Sequence, residues 1–324
     1  AEPSTPAEPP QDAPEAAPEP APERGRRRWR LRRSDLAAVG VLAVAVAAWV
    51  VGLWGADPRD MGPTGLISLF TPPMVAALAL LTVGFVVAVR RDAPGWLLGL
   101  HVVVLIGLLH GTPAVLYDTL RYSWAWKHTG IVEYITRTGA IDTTVDVSPI
   151  YQSWPGFFTG SALLTDLVRA RHSAGIATWA PVAFNLFNLF VLRALYRSIT
   201  GSRRLVWLGI WFFFITNWVG QDYFSPQAMA YLLYLAIITV ALRGFRRSEP
   251  VRPVLAPPMP RTHALAMMVL LVWVVSSSHQ ITPFLTSVAL AGLALFRQIR
   301  GWYLAVLAGA TMTGWAFTVG AGEL

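Results

Sequence analysis

Apolar residues along this chain fall in nearly unbroken blocks, separated by short turns where Arg, Gly and Pro gather. Each block is about fifteen to twenty residues long, close to what a helix rising 1.5 Å per residue needs to cross a hydrocarbon core of about 30 Å. Nine such blocks are present: Leu36 to Trp54, Pro72 to Val89, Trp96 to Leu116, Ile176 to Leu195, Leu205 to Val219, Pro226 to Leu242, Ala264 to Ser278, Thr282 to Phe296 and Gly301 to Val319. Because the blocks are continuous rather than alternating, they predict helices and not the strands of a lipid-facing barrel. The expected fold is all-α, a polytopic transmembrane helical bundle of about nine spans.

Two segments break this pattern. Residues 1–35 form a tail: Ala1 to Glu23 is rich in Ala, Pro and Glu without apolar periodicity, which predicts a disordered arm. The Arg cluster Arg24 to Arg33 beside it is expected on anionic headgroups. The transmembrane domain then takes residues 36–324, with a long polar loop at 117–175. Within that loop, Leu120, Trp124, Ile131 and Ile135 have a rough helical spacing, which predicts a helix lying in the membrane interface over Tyr117 to Thr136. Gly139 should break it. An irregular stretch follows from Asp142 to Pro149, then the aromatic segment Tyr151 to Phe158, then a second surface helix over Ser161 to Ala170.

The basic residues orient the bundle, since short cytoplasmic loops retain Arg and Lys. A cytoplasmic N-terminus places 20 of the 26 basic residues inside, leaving Arg59, Arg121, Lys127, Arg137, Arg169 and Arg171 outside. The long loop is then extracytoplasmic, in a plasma membrane protein. The net charge of +8 follows from this topology, so a nucleic-acid partner is not expected. The first apolar run is span length with no small-residue cleavage site after it, unlike a cleaved signal peptide. The absence of Cys removes disulfides and thiolate metal sites from consideration. No repeat of fixed period is visible, which weighs against an inverted-repeat transporter.

Candidate chemistry gathers on the outer side. Thr71-Pro72, Ser225-Pro226 and Thr282-Pro283 each read as a helix cap followed by Pro at the first helical position. Such starts are ordinary for well-capped spans, yet three helix N-termini at one membrane face also favour a phosphate. The short outer turns carry Gln221, Asp222 and Gln227 in one case and His279 and Gln280 in the other, bulky polar groups where Gly, Ser or Asn would make the turn. Gln152 and Trp154 lie in the aromatic segment. Asp118 ends the third span beside Arg121, Lys127, His128 and Glu133. A partly desolvated carboxylate there would serve as general base on an acceptor hydroxyl. Glu133, Asp142 and Asp146 are weaker candidates for that base or for a hard divalent cation, whose requirement stays open. His101 and His110, on opposite faces of span three, read as structural. Zinc-protease, phosphate-loop and serine-hydrolase motifs are missing from the sequence.

The order of Tyr117-Asp118 after a span, an amphipathic helix ending near Gly139, the Pro-containing aromatic segment Tyr151 to Phe158 and further spans resembles the first outer loop of the polytopic C-type membrane glycosyltransferases. The resemblance covers about Tyr117 to Gln280. It implies transfer of a sugar from a polyprenyl phosphate carrier to an envelope glycan or protein acceptor on the outer face. Asp118 would be the catalytic base, and Arg121, Lys127 and His279 would contact the carrier phosphate. Two features depart from that family: Asp118 is followed by Thr119 instead of a second acid, and three spans precede the loop instead of one. The chain also lacks an initiator Met and ends just beyond the ninth span, as a fragment or a shortened relative would. The competing expectations are a transporter or flippase for lipid-linked saccharides, and an envelope polysaccharide polymerase.

Overall fold

The computed structural model describes residues 32–142, 144, 150–217, 222–247 and 253–320. The tail expected to be disordered, most of its Arg cluster, Asp146 and Gln221 lie outside these residues. Among those described, the chain is all-helical, with a single β-bridge between Arg246 and Ile299. The helices are α1 (Arg33–Leu53), α2 (Pro72–Arg90), α3 (Gly95–Leu116), α4 (Ser123–Thr138), α5 (Ile150–Ser153), α6 (Gly156–Leu167), α7 (Ala174–Ile199), α8 (Arg203–Thr216), α9 (Pro226–Gly244), α10 (Arg261–Ser278), α11 (Thr282–Leu295) and α12 (Tyr303–Thr318).

Six of these, α1, α2, α3, α7, α9 and α10, are long and apolar enough to cross a membrane, which makes this an integral membrane protein by length and composition. The remaining three apolar helices, α8, α11 and α12, are shorter at 14, 14 and 16 residues. Large apolar side chains face outward all around the bundle, among them Phe190 and Val288, each 69% exposed. An outward apolar face of this extent suits lipid rather than water as the surrounding medium.

The interior is close-packed. Phe85 of α2 stacks on Trp211 of α8 with ring centroids 4.1 Å apart. The Trp49 indole of α1 donates to the Thr112 hydroxyl of α3 at 2.8 Å, so its polar edge is satisfied inside the bundle.

One end of the bundle collects the arginines. Arg204 pairs with Asp92 across the α7–α8 and α2–α3 turns, and Arg203 donates to the Asp92 carbonyl. Arg197 bonds the Leu255 carbonyl, Arg246 bonds the Ser198 carbonyl, and Arg300 bonds the Arg247 carbonyl. These guanidinium bonds hold the α2–α3, α7–α8, α9–α10 and α11–α12 connections together.

The opposite end is capped by α4, α5 and α6. Gly139, with φ of +68°, ends α4 in the left-handed conformation that glycine adopts without a side-chain clash. The face that α4 buries is Ala125, His128, Thr129, Val132 and Ile135, at helical spacing. This corrects the expected stripe: Leu120 and Ile135 are buried, but Trp124 is 51% exposed and Ile131 only half-buried. The face was selected by packing against α6 and α7, not by the most apolar residues of the segment. Further round, the Trp315 indole of α12 donates to the Ser153 carbonyl at 2.9 Å and ties α5 to the bundle.

The expected helix caps are also revised. Ser225 accepts from the Ala228 N–H and caps α9 as anticipated. Thr71 also stands at the N-cap of α2 before Pro72, though its hydroxyl donates to the Gly52 carbonyl and makes no cap bond, whereas Thr282 lies inside α11, whose N-cap is Ile281.

Candidate functional site

The capped end holds an acid deep among helices. Asp222, in the turn before α9, is 6% exposed. Its Oδ2 lies 2.6 Å from Nδ1 of His110 on α3 and accepts a hydrogen bond from Nδ2 of Asn185 on α7 at 2.7 Å. His110 and Asn185 are themselves buried. Desolvation alone would raise the Asp222 pKa, but the His110 contact, together with the charge of Arg121, outweighs it and holds the carboxyl below its usual value. Asp222 is therefore an ionised group at neutral pH, inside an apolar bundle. Its Oδ1 has no hydrogen-bond partner among the described residues.

Beside Asp222 a cavity of about 580 Å³ opens between α7, α9 and α11. Asn188, Asn217, Asp222, Gln227 and Thr282 supply polar walls, and Phe184, Tyr231, Leu285 and Val288 supply apolar ones. It follows α9 from Gln227 to Tyr234 and α11 from Thr282 to Ala289, about 10 Å of helix. Leu285 and Val288 are also 58% and 69% exposed on the lipid side of α11. The cavity is thus charged and amide-lined near the turn and apolar toward the lipid.

A second, smaller cavity of about 110 Å³ adjoins it and shares Gln227. His128, Tyr151, Trp154, Tyr223, Ser225, Ser278, His279 and Gln280 line the rest. His128 on α4 is 1% exposed, stacks on Tyr223, and directs Nδ1 at the Phe224 carbonyl at 2.8 Å. Burial, with the nearby Lys127 charge, lowers its pKa; the Phe224 bond opposes the shift without cancelling it. Burial pushes His279 down to about 4.

The structure thus brings together His128, Trp154, Asp222, Gln227, His279 and Gln280 of the expected site residues, on α4, just after α5, on α9 and in the two short turns. Arg121 lines a narrow cleft beside His110 and sits 5.1 Å over the Tyr122 ring. Lys127 lies over the Trp124 and Tyr151 rings. Gln152 is half-buried next to the second cavity's Tyr151.

Two expected residues serve elsewhere. Glu133 accepts from the N–H and the hydroxyl of Ser173, so it holds the start of α7 rather than a ligand. Asp118 is exposed at the end of α3 and lines none of these cavities; the burial expected of it is found at Asp222, whose carboxyl the His110 contact holds below its usual pKa rather than raised. Of the three Pro-started helices, α9 and α11 begin at the cavities, while α2 packs on α1, α3 and α8.

No family model, curated protein or solved structure matches this chain.

His110 and Asn185, which the sequence did not group with Asp222, are its partners in the structure. The available signal was that an ionisable group inside a membrane helix requires a partner. His110 and His101, nine residues apart on α3 and both read from the sequence as structural, stand in different surroundings. His101 bonds the Leu97 carbonyl of its own helix and meets Phe85 edge-on. For a divalent cation the donor set is wanting: among the described residues no three His, Asp or Glu side chains come together.

Proposed function

We propose that the protein is a membrane glycosyltransferase of the cell envelope, moving a sugar from a polyprenyl phosphate carrier to a glycan or protein acceptor. The observation that carries this reading is the buried, ionised Asp222 at the polar end of a cavity whose other walls are apolar and face lipid. An amphipathic donor enters such a site from the bilayer, leaving its polyprenyl chain among Leu285, Val288 and Phe184. With the arginine end in the cytoplasm, as the basic residues favour, the site lies at the outer face.

In the transfer step the acceptor hydroxyl gives its proton to a carboxylate and its oxygen bonds the anomeric carbon. The bond from that carbon to the phosphate oxygen breaks, and the carrier phosphate leaves with the electron pair. Asp222 is the carboxylate we assign to the proton, and Arg121, whose charge reaches it from the cleft beside His110, helps keep it ionised. A polymerase differs only in having the growing glycan as acceptor.

The test is mass spectrometry of lipid extracts from cells lacking the protein, complemented with wild type, Asp222→Asn or Asp118→Asn. Accumulated polyprenyl phosphate sugar should be cleared by wild type and by Asp118→Asn, and not by Asp222→Asn. Clearance by Asp222→Asn alone would return the base to Asp118.

A second reading has its own support. A buried acid touching α3 and α7 is also what an ion-coupled carrier places in its path, so a flippase for lipid-linked saccharides competes. Purified protein in vesicles that moves the lipid between leaflets without any acceptor would favour it.

A further inference from the structure

The smaller cavity carries an unusual set of polar atoms. The Phe224 carbonyl can only accept, so Nδ1 of His128 holds the ring proton and its Nε2 presents a bare lone pair. That Nε2 is buried without a partner among the described residues. His279 has the opposite tautomer. Its Nδ1 accepts from the backbone N–H groups of Ile281 and Thr282 at 3.3 and 3.2 Å, so its Nε2 carries the proton. Trp154, 4% exposed, and Ser278, 1% exposed, add an indole N–H and a hydroxyl that are likewise buried and unpartnered among the described residues.

Buried polar groups in a folded chain are almost always bonded, because an unmade bond leaves desolvation uncompensated. Three such orphans lining one space of about 110 Å³ therefore point to a ligand that supplies their partners. Its chemistry follows from the set. A group facing His128 Nε2 must donate and a group facing the Trp154 indole must accept, and the hydroxyls along one edge of a sugar do both. An anion would be repelled by the bare imidazole lone pair, and among the described residues no side chain lining the space is formally charged once both histidines are neutral. The flat rings of Tyr151, Trp154 and Tyr223 line it as well, surfaces on which the C–H face of a sugar ring stacks.

We infer that this cavity is a saccharide subsite, in which a neutral, hydroxyl-bearing sugar edge bridges His128 Nε2 and the Trp154 indole. The inference rests on the transferase reading only in assigning that sugar to the reaction. Its position across Gln227 from Asp222 sets the sugar beside the carboxylate and the lipid portion in the larger cavity.

The experiment is saccharide binding to the purified, detergent-solubilised chain, with a panel of neutral methyl hexosides titrated to high millimolar concentration. Histidine-¹⁵N resonances provide the readout, and inorganic phosphate serves as competitor. At least one hexoside should shift the His128 Nε2 resonance, and phosphate should not displace it. Ser278→Ala and Trp154→Phe should each weaken binding about ten-fold or more, since each removes a donor from a desolvated site. Ser278→Ala removes a hydroxyl that has no partner among the described residues, so it should leave unfolding unchanged and separate a binding role from a structural one. No shift with any hexoside, displacement by phosphate, or unchanged affinity in both variants overturns the subsite. Binding that is intact while Asp222→Asn still clears the lipid in cells would preserve the subsite and remove Asp222 from the reaction.

Discussion

The contact between His110 and Asp222 makes the sharpest claim on stability, because it joins an ionised group at 6% exposure to a helix more than a hundred residues away in sequence. Replacing His110 with Leu leaves the carboxylate with Asn185 alone at 2.7 Å and the field of Arg121. Removing one partner of a buried pair costs about 3–5 kcal/mol, a large share of the roughly 5–15 kcal/mol that stabilises an ordinary domain. Asp222→Leu strands His110 Nδ1 instead, while Asn185 Nδ2 keeps its bond to the Pro181 carbonyl, and should cost about 1–3 kcal/mol. The double variant removes both polar ends, so it should be less destabilised than the sum of the single changes, with a coupling of about 2 kcal/mol.

Reversible unfolding of the chain in mixed micelles, followed by tryptophan fluorescence, measures all four corners of this cycle. The pH dependence adds a check of sign. In the wild type the Asp222 pKa is lowered, so its contribution is present above the ordinary carboxylate pKa and is lost as pH falls through the folded value. Without His110 burial should dominate and raise the pKa, so the deficit of His110→Leu should shrink on acidification as the carboxyl takes up a proton. Single-variant costs that add to within about 0.5 kcal/mol, or a deficit that grows in acid, would refute the coupling.

Three other outcomes follow from the geometry. A Cβ on Gly156 would stand 2.5 and 2.6 Å from the Ser278 and Ser277 hydroxyls, so Gly156→Ala should push α6 off the end of α10, costing about 1–3 kcal/mol and weakening saccharide binding; unchanged unfolding would show that α6 yields freely there. His279 is held at about 4 against a reference near 6.5; its folded pKa being the lower, stability should be full above the reference value and fall as pH drops from there toward 4, and His279→Gln should flatten that slope in acid unfolding. Because the chain contains no Cys, single-Cys replacements at Thr138 and at Arg91 can be labelled in intact cells with an impermeant reagent. Thr138→Cys should react and Arg91→Cys should not, and the reverse pattern would invert the bundle.

The sequence by itself determined the helices. A bilayer cannot satisfy backbone N–H and C=O groups, so apolar runs must bond internally as helices; each run meets a helix among the described residues, and six of those helices are long and apolar enough to cross a membrane. Local chemistry likewise announced the end of α4 at Gly139 and the cap of α9 at Ser225, since both depend on residues within a turn of the boundary. The site was legible only as a cast of polar residues. Asp118 and Asp222 look alike in the sequence, each an acid just beyond a span, and nothing nearby says which one is withdrawn from solvent. That depended on where α3, α7 and the α8–α9 turn converge, which brings His110 and Asn185 to Asp222 and leaves Asp118 outside. The tautomers of His128 and His279 were decided in the same way, by a carbonyl and a turn delivered through packing, because a ring proton follows its hydrogen-bond partner and not its place in the chain.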